Sequence, residues 1–315
     1  MATNKLTTTK KLFDWARKNN RAICAFNVNN MELIQAVTET ANEMGLPIIL
    51  QISKGARKYA NPVYLRKLVE AACECVKTPI ALHLDHGDSF ELCKQSIDDG
   101  FTSVMIDGSH LPYEENVKLT KSVVDYARKY AEKHGVAVPS VEGELGELAG
   151  IEEHVQNAKS TYTNPAVVRD FVKRTGVDSL AISIGTSHGA HKYKPGSNPQ
   201  LAMDVLAKIQ AEIPKTPLVL HGASSVTPED VALINKHGGK IENAVGMSEK
   251  QLAETISFGV RKINIDSDLR LAFTGKIRET FATNPGAFDP RQYLSPARDH
   301  VRGVVRRKLE YFTKP

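Results

Sequence analysis

The chain has 315 residues, 41 Lys+Arg against 36 Asp+Glu for a formal net charge of +5, and 41% hydrophobic content. So much apolar sequence with so little net charge excludes disorder, and no run approaches the ~20 apolar residues of a membrane span. Basic residues are dispersed and only 6% of the chain is aromatic, which argues against a nucleic-acid partner.

The N-terminal residues, MATNKLTTTKKLFDWARKNN, lack the apolar stretch of a secretory signal and read as a first helix. Strand Ala22–Phe26 follows and ends at Asn27, then helix Met31–Glu43. Strand Ile48–Ile52 ends at Ser53, helix Val63–Cys75 returns, and strand Ile80–Leu84 runs into Asp85-His86-Gly87. After helix Phe90–Asp99 come strand Ser103–Ile106, ending at Asp107, and helix Glu114–Lys133. Strand Ala137–Glu142 leads to Glu144, and the polar stretch Ala149–Thr163 is long enough to serve as a mobile lid. Helix Pro165–Arg174 has Pro165 at its first position behind Asn164 as N-cap. Strands Ser179–Ile184 and Leu218–Leu220 end at Gly185 and His221. A long excursion, Ser225–Ser257, separates them from the last strand, Lys262–Ile265, which ends at Asp266 and leaves room for a final helix and a tail.

The strand ends from Asn27 to Asp266 are spaced by about 34 residues on average, the size of a βαβ unit. Such alternation predicts an α/β fold, a (β/α)8 TIM barrel forming a single domain over 1–315, with an insert between the last two strands and a C-terminal helical tail. An open doubly wound sheet would need a glycine-rich first turn, and Asn27-Val28-Asn29-Asn30 is not one. The four cysteines, Cys24, Cys73, Cys75 and Cys93, fit no metal or disulfide spacing and read as buried or half-buried thiols in a reducing cytoplasm.

Barrel chemistry gathers where strands end on the C-terminal face. His86, His188 and His221 project from three such ends, and neutral imidazoles with an open coordination position suit a catalytic zinc. His83 reads as a packed or supporting histidine. Asp85, beside His86, is placed either for acid/base work or to orient a ligand histidine. Asp107 and Glu144 could hold a metal in a second position or pair with lysines of the rim. Loops His221-Gly222-Ala223-Ser224 and Asn264-Ile265-Asp266-Ser267 offer backbone N–H groups where barrels commonly bind phosphate, with Gly189 and Lys192 beside them.

These motifs resemble the zinc-dependent class II fructose-1,6-bisphosphate aldolases, in the branch with an insert at 225–257. The resemblance runs through LHLDHG at 82–87, MIDGSH at 105–110, EGELGELAGIEE at 142–153, IGTSHGAHK at 184–192, LHGASS at 220–225 and INIDSD at 263–268. It implies a cytoplasmic lyase of glycolysis and gluconeogenesis that cleaves fructose 1,6-bisphosphate to dihydroxyacetone phosphate and D-glyceraldehyde 3-phosphate. By the resemblance His86, His188 and His221 hold zinc, which stabilises the enediolate. Asp85 is the acid/base at the C4 hydroxyl, and Glu152, adjoined by Glu153, handles the C1 proton. Asp107 and Glu144 mark a second divalent ion, and a monovalent cation is a further cofactor. Gly189, Gly222, Ala223, Ser224, Asn264, Ile265, Asp266 and Ser267 would hold the dihydroxyacetone-phosphate half, while Asn27 and Ser53 line the other. Arg270 touches substrate, and Arg291 reaches a neighbouring subunit's distal phosphate, which implies a homodimer or homotetramer.

Other readings differ in substrate or chemistry. A tagatose 1,6-bisphosphate aldolase would differ only at C4, a zinc-dependent hydrolase would use Asp85 as base for water, and a phosphosugar-binding barrel would need neither acid nor base. A Schiff-base aldolase needs an activated lysine, and Lys54 and Lys262 lie near strand ends without an evident activating partner.

Overall fold

Residue alternation decides what the strands become. In Ile48-Ile49-Leu50-Gln51-Ile52-Ser53 and Ile80-Ala81-Leu82-His83-Leu84-Asp85 one set of positions stays aliphatic, while the other grows polar toward the C-terminal end. A strand of this kind suits a sheet covered by helices outside and closed around a polar mouth inside. The computed structural model describes residues 6–152, 155–157, 161–189, 199–242 and 244–315, with backbone alone for 149–152, 155–157 and His188. Its closed parallel barrel comprises β1 (Ile23–Asn27), β2 (Ile48–Ser53), β3 (Ile80–Gly87), β4 (Ser103–Ile106), β5 (Ser140–Leu145), β8 (Ser179–Ile182), β10 (Leu218–Leu220) and β11 (Val260–Ile265). Three short strands, β6 (Ala149–Glu152), β7 (Val155–Asn157) and β9 (Ser187–His188), form a separate sheet in the order β7-β6-β9.

The register sets the two faces. Gln51 pairs with His83, His83 with Ser103 and Ser103 with Ser140, so these side chains share the interior. Leu50, Leu82, Val104, Val141, Leu180, Leu220 and Ile263 lie on the other face, in the main core with the helices. The first helix, α1 (Thr9–Asn19), places Leu12, Phe13 and Ala16 against Ile23, Ala25, Ile49 and Ala81, closing the floor of the barrel.

The outer helices begin where the sequence supplies caps. Asn30 accepts from Leu33 N–H at the start of α2 (Met31–Met44), and Ser53 accepts from Ala56 N–H for the short α3 (Lys54–Ala60). Helix α4 (Pro62–Cys75) is followed by α5 (Phe90–Asp98), capped by Ser89. Helices α6 (Tyr113–His134) and α7 (Pro165–Thr175) come next, and Asn164 caps α7 with Pro165 at its first position, as expected. Helix α8 (Met203–Glu212) completes this part of the ring, and the insert carries α9 (Pro228–Lys236) and α10 (Glu249–Glu254).

Three boundaries differ from expectation for physical reasons. The fifth strand starts at Ser140 rather than Ala137, since Pro139 has no N–H for the ladder. The strand from Ser179 stops at Ile182 because Ser183 N–H bonds to the Thr163 hydroxyl instead of a neighbouring strand. The stretch expected as an irregular lid contains the β6–β7 antiparallel pair, and β6 also pairs with β9.

The C-terminal segment is two helices, α11 (Ser267–Thr283) and α12 (Pro290–Phe312), the second of them the expected helical tail. Pro296 and Gly303 weaken the local propensity of α12, yet Val301, Val304, Val305, Leu309 and Phe312 form one buried stripe. Tertiary burial overrides propensity here. Arg302 bonds Glu39 and Glu43 on α2, and Arg306 bonds Glu43 at 2.7 Å. Helix α12 therefore packs as part of the helical ring.

Candidate active site

Neighbours on a regular strand point to opposite faces. Asp85 and His86 escape that rule because β3 bulges: Leu84 pairs with Val104 and Gly87 with Ile106, so β3 holds one residue more than β4 across the interval. His86 takes up the extra length in a left-handed conformation, φ 47°. Both side chains consequently face the barrel mouth, where ligand atoms of Asp85, His86 and His221 all lie within 4.8 Å of one another.

Carboxylates turn both rings. Glu142 Oε1 is 2.7 Å from His221 Nε2, and Asp107 Oδ2 is 3.2 Å from His86 Nδ1. An ionised carboxylate only accepts, so each takes the N–H of its ring. The remaining nitrogens, His221 Nδ1 and His86 Nε2, face each other at 2.9 Å. Two imidazole lone pairs so directed, each ring held by a carboxylate, form the arrangement that suits a divalent metal between them. A second set, His86, Asp107 and Glu144, also converges within 4.8 Å, and Glu144 Oε2 is buried without a hydrogen-bond partner. These donors fit a divalent cation.

Electrostatics favour ligand forms of the histidines. Burial, followed by the charge of His86, lowers the His221 pKa, and burial with Lys262 lowers that of His83 far more. Burial and then the neighbouring Asp107 raise Glu144 well above the usual carboxylate range. Burial acts to raise Asp107 too, but hydrogen bonds and charge from His86, with help from Ser109, hold it far below.

Asp85 is oriented by amides. Its Oδ2 accepts from Asn27 Nδ2 at 2.8 Å, and its Oδ1 accepts from Asn264 Nδ2 at 3.2 Å. Gln51 Nε2 bonds the Asn27 carbonyl oxygen at 2.5 Å and reaches Asp85 Oδ2 at 3.4 Å. Ser53 lies beside Asp85 in the β2–β3 register. The carbonyl oxygens of Gln51 and Asn264 and the Thr186 hydroxyl are buried without partners, so the mouth retains unused polar atoms.

Below the mouth lies a feature that the sequence reading missed. Lys262 is fully buried in the barrel interior, 2.9 Å from Glu142 Oε2 and 3.1 Å from His83 Nε2, with His83 Nδ1 2.8 Å from Ser103 Oγ. Lys262 lies inside β11 and is ion-paired with Glu142, and a carboxylate is not an activating partner for a Schiff-base lysine. Lys54, the other lysine considered, pairs with Asp88 at 2.6 Å. Glu142 itself escaped notice because the strand was expected to stop there, whereas it runs on to Leu145 and leaves Glu142 inside. The strand's period of two, carried past Glu142 to Glu144, was the available signal.

The expected phosphate loops adjoin. Gly222 has φ 60°, and a Cβ there would lie 2.6 Å from the Ser187 carbonyl oxygen, so the loop runs directly against the backbone just before His188. Ser224 Oγ accepts from the N–H groups of Asp266 and Ser267 at 3.2 Å each. Ala223 is buried, and the Ile265 side chain packs in the outer core, leaving its backbone for the mouth. Asn264 also approaches His221 Nδ1 at 2.8 Å, which places it between Asp85 and His221 rather than in the expected phosphate loop alone.

Other candidates are less constrained. Gly189 has φ 80° just past β9, while the side chains of His188 and Glu152 and all of Glu153 and Lys192 lie outside the described residues. Arg270 holds Asp266 Oδ1 at 2.7 Å. Arg291 is 87% exposed in its side chain and forks onto Asp289. Cys24, Cys73 and Cys93 are buried and Cys75 is exposed, a departure from the expectation that all four are sheltered.

A barrel with histidines turned by carboxylates beside an amide-held aspartate now meets its relatives. The class-II fructose-bisphosphate aldolase family matches residues 7–314. The chain belongs to that family. Proteins named fructose-bisphosphate aldolase are 49% identical in Treponema pallidum, over 96% of this chain and 94% of that protein, and 47% identical in Thermus caldophilus, over 98% of each. The crystal structure of the YdjI aldolase of Escherichia coli K12 superposes with a TM-score of 0.73 at 27% identity, covering 98% of this chain and 97% of that one. Membership makes this class II aldolase a lyase.

Proposed function

We propose that the barrel mouth performs reversible aldol cleavage of fructose 1,6-bisphosphate to dihydroxyacetone phosphate and D-glyceraldehyde 3-phosphate. The observation that carries the reading is the facing pair His86 Nε2 and His221 Nδ1 beside the Asp85 carboxylate. His86, His188 and His221 would hold zinc, which supplies Lewis-acid polarisation of the substrate ketone when bound. Asp107 and Glu144 offer a second divalent position, and a monovalent cation would lie near the phosphate.

Asp85 takes the proton of the C4 hydroxyl as the C3–C4 bond breaks, oriented by Asn27 and Asn264. Glu152, on the β6–β7 pair that adjoins β9, delivers a proton to the carbon that was C3 of the bisphosphate and becomes C1 of dihydroxyacetone phosphate. Backbone N–H groups of Gly189 and Gly222 to Ser224, and the segment Asn264 to Ser267, hold one phosphate with Lys192 nearby. Asn27 and Ser53 flank the other half, and Arg270 reaches substrate from α11.

Arg291 acts on a neighbouring subunit's distal phosphate; its exposure and that of Phe288, at 89%, support a homodimer or homotetramer. That no disulfide joins the four cysteines supports a cytoplasmic setting, and no helix among the described residues is long and apolar enough to cross a membrane.

The relatives' names favour fructose over tagatose as the C4 epimer. Triose phosphate release from both bisphosphates tests this: kcat/KM should favour fructose by about tenfold or more, ~1.4 kcal/mol of discrimination. Equal rates or a tagatose preference would contradict the substrate assignment, and phosphate release without triose phosphate would indicate a hydrolase.

A further inference from the structure

The loop that follows His221 is clamped from behind by charges outside the mouth. Lys308, on α12, has no exposed surface and aims its ammonium at Ser225 Oγ at 2.7 Å, Glu249 Oε1 at 2.8 Å and Asp268 Oδ2 at 2.7 Å. Three acceptors use all three ammonium protons. Asp268, also fully buried, accepts from the N–H of Ser225 at 3.0 Å through Oδ2 and from the N–H of Val226 at 2.6 Å through Oδ1. Val226 is β-branched and sits at φ 51°, a conformation such residues avoid unless their surroundings impose it. Gly246 closes the other side: a Cβ there would come within 2.3 Å of the Ser225 backbone.

We infer that Lys308 is a positioning residue for phosphate binding, holding Ser225 and Val226, through Asp268, so that Gly222 to Ser224 present their backbone to the ligand. This rests on the phosphate reading of that loop given above. The ammonium pairs with Asp268 and shares Glu249 with Arg307 directly behind the loop, and it fixes the carboxylate that enforces the strained Val226 backbone. Without it the buried Asp268 carboxylate loses its ammonium partner, while the half-buried Glu249 retains Arg307 at 3.2 Å, and the loop relaxes away from the shape that an anion needs.

Three variants decide the matter, assayed on fructose 1,6-bisphosphate with inorganic phosphate as competitive inhibitor. Lys308→Met should raise both KM and the phosphate Ki by about tenfold while kcat stays within about threefold and zinc content is unchanged, since only loop shape is lost. Ser225→Ala, which removes one bond of the clamp, should shift both constants in the same direction by about two- to fivefold. Wild-type KM and Ki in folded Lys308→Met overturn the inference, and if that variant does not fold, wild-type constants in Ser225→Ala overturn it. Ser224→Ala separates the underlying reading: if it leaves phosphate Ki unchanged, the phosphate loop assignment falls and this inference with it. A raised Ki in Ser224→Ala alone overturns only the role of Lys308.

Discussion

Glu142 joins two buried partners, one oxygen 2.7 Å from His221 Nε2 and the other 2.9 Å from Lys262 Nζ. Burial alone would raise its pKa, but the charge of Lys262 and the hydrogen bond from His221 outweigh that and hold it far below the usual range. The pair fixes the ring so that Nδ1 faces His86. Glu142→Gln leaves Lys262 buried and uncompensated, so unfolding stability should fall by about 3–5 kcal/mol. Metal affinity should fall by about 10- to 100-fold as the ring loses its orienting carboxylate. Denaturant unfolding and a metal titration read the two effects; a variant that keeps both would remove Glu142 from the account.

Asp85 is held by the side-chain amides of Asn27 and Asn264. Asp85→Asn should lower kcat by about 10²–10⁴ with bound metal retained. Steady-state turnover with metal analysis of the same sample checks this. Turnover near wild type would exclude Asp85 as the acid/base, and loss of metal would make it a ligand.

Gly222 combines φ 60° with a Cβ position 2.6 Å from the Ser187 carbonyl oxygen. Gly222→Ala therefore meets both backbone strain and a clash, costing about 1–3 kcal/mol for the strain alone. It should lower the melting temperature and raise KM together. A variant with wild-type values of both would show that the loop moves freely against β9.

Thiol chemistry reports the packing of the outer shell. Burial pushes the Cys24 thiol up to about 12, with Thr313 and Lys308 only partly offsetting it, and burial raises Cys93 further still. A disulfide reagent at neutral pH should titrate Cys75 rapidly in the native protein and the other three only on unfolding. Rapid reaction of Cys24 or Cys93 would mean that the shell around β1 or α5 opens readily.

Local pattern made the barrel legible. Period-two strands ending at or just before Asn27, Ser53, Asp107 and His221, and caps such as Asn164-Pro165, read correctly without tertiary information, while β3 runs on past Asp85 to Gly87. The proximity of Asp85 and His86 was not legible as geometry, because it depends on a bulge that the sequence of β3 does not announce. The pairing of Lys262 with Glu142 was not legible because the fifth strand was expected to end at Glu142, whereas it runs on to Leu145 and the two opposite charges satisfy each other inside. The packing of the expected helical tail, α12, was not legible because its partner, α2, lies far away in sequence.

The central claim is that a divalent metal held by the histidines of the barrel mouth is required for carbon–carbon cleavage. Its most direct test is triose phosphate release from fructose 1,6-bisphosphate before chelation, after exhaustive chelation, and after zinc is returned. Chelation should lower the rate by at least about a hundredfold, one zinc per chain should restore it, and borohydride in the presence of substrate should not inactivate the enzyme. Full activity of the metal-free enzyme, with inactivation by borohydride, would contradict that claim.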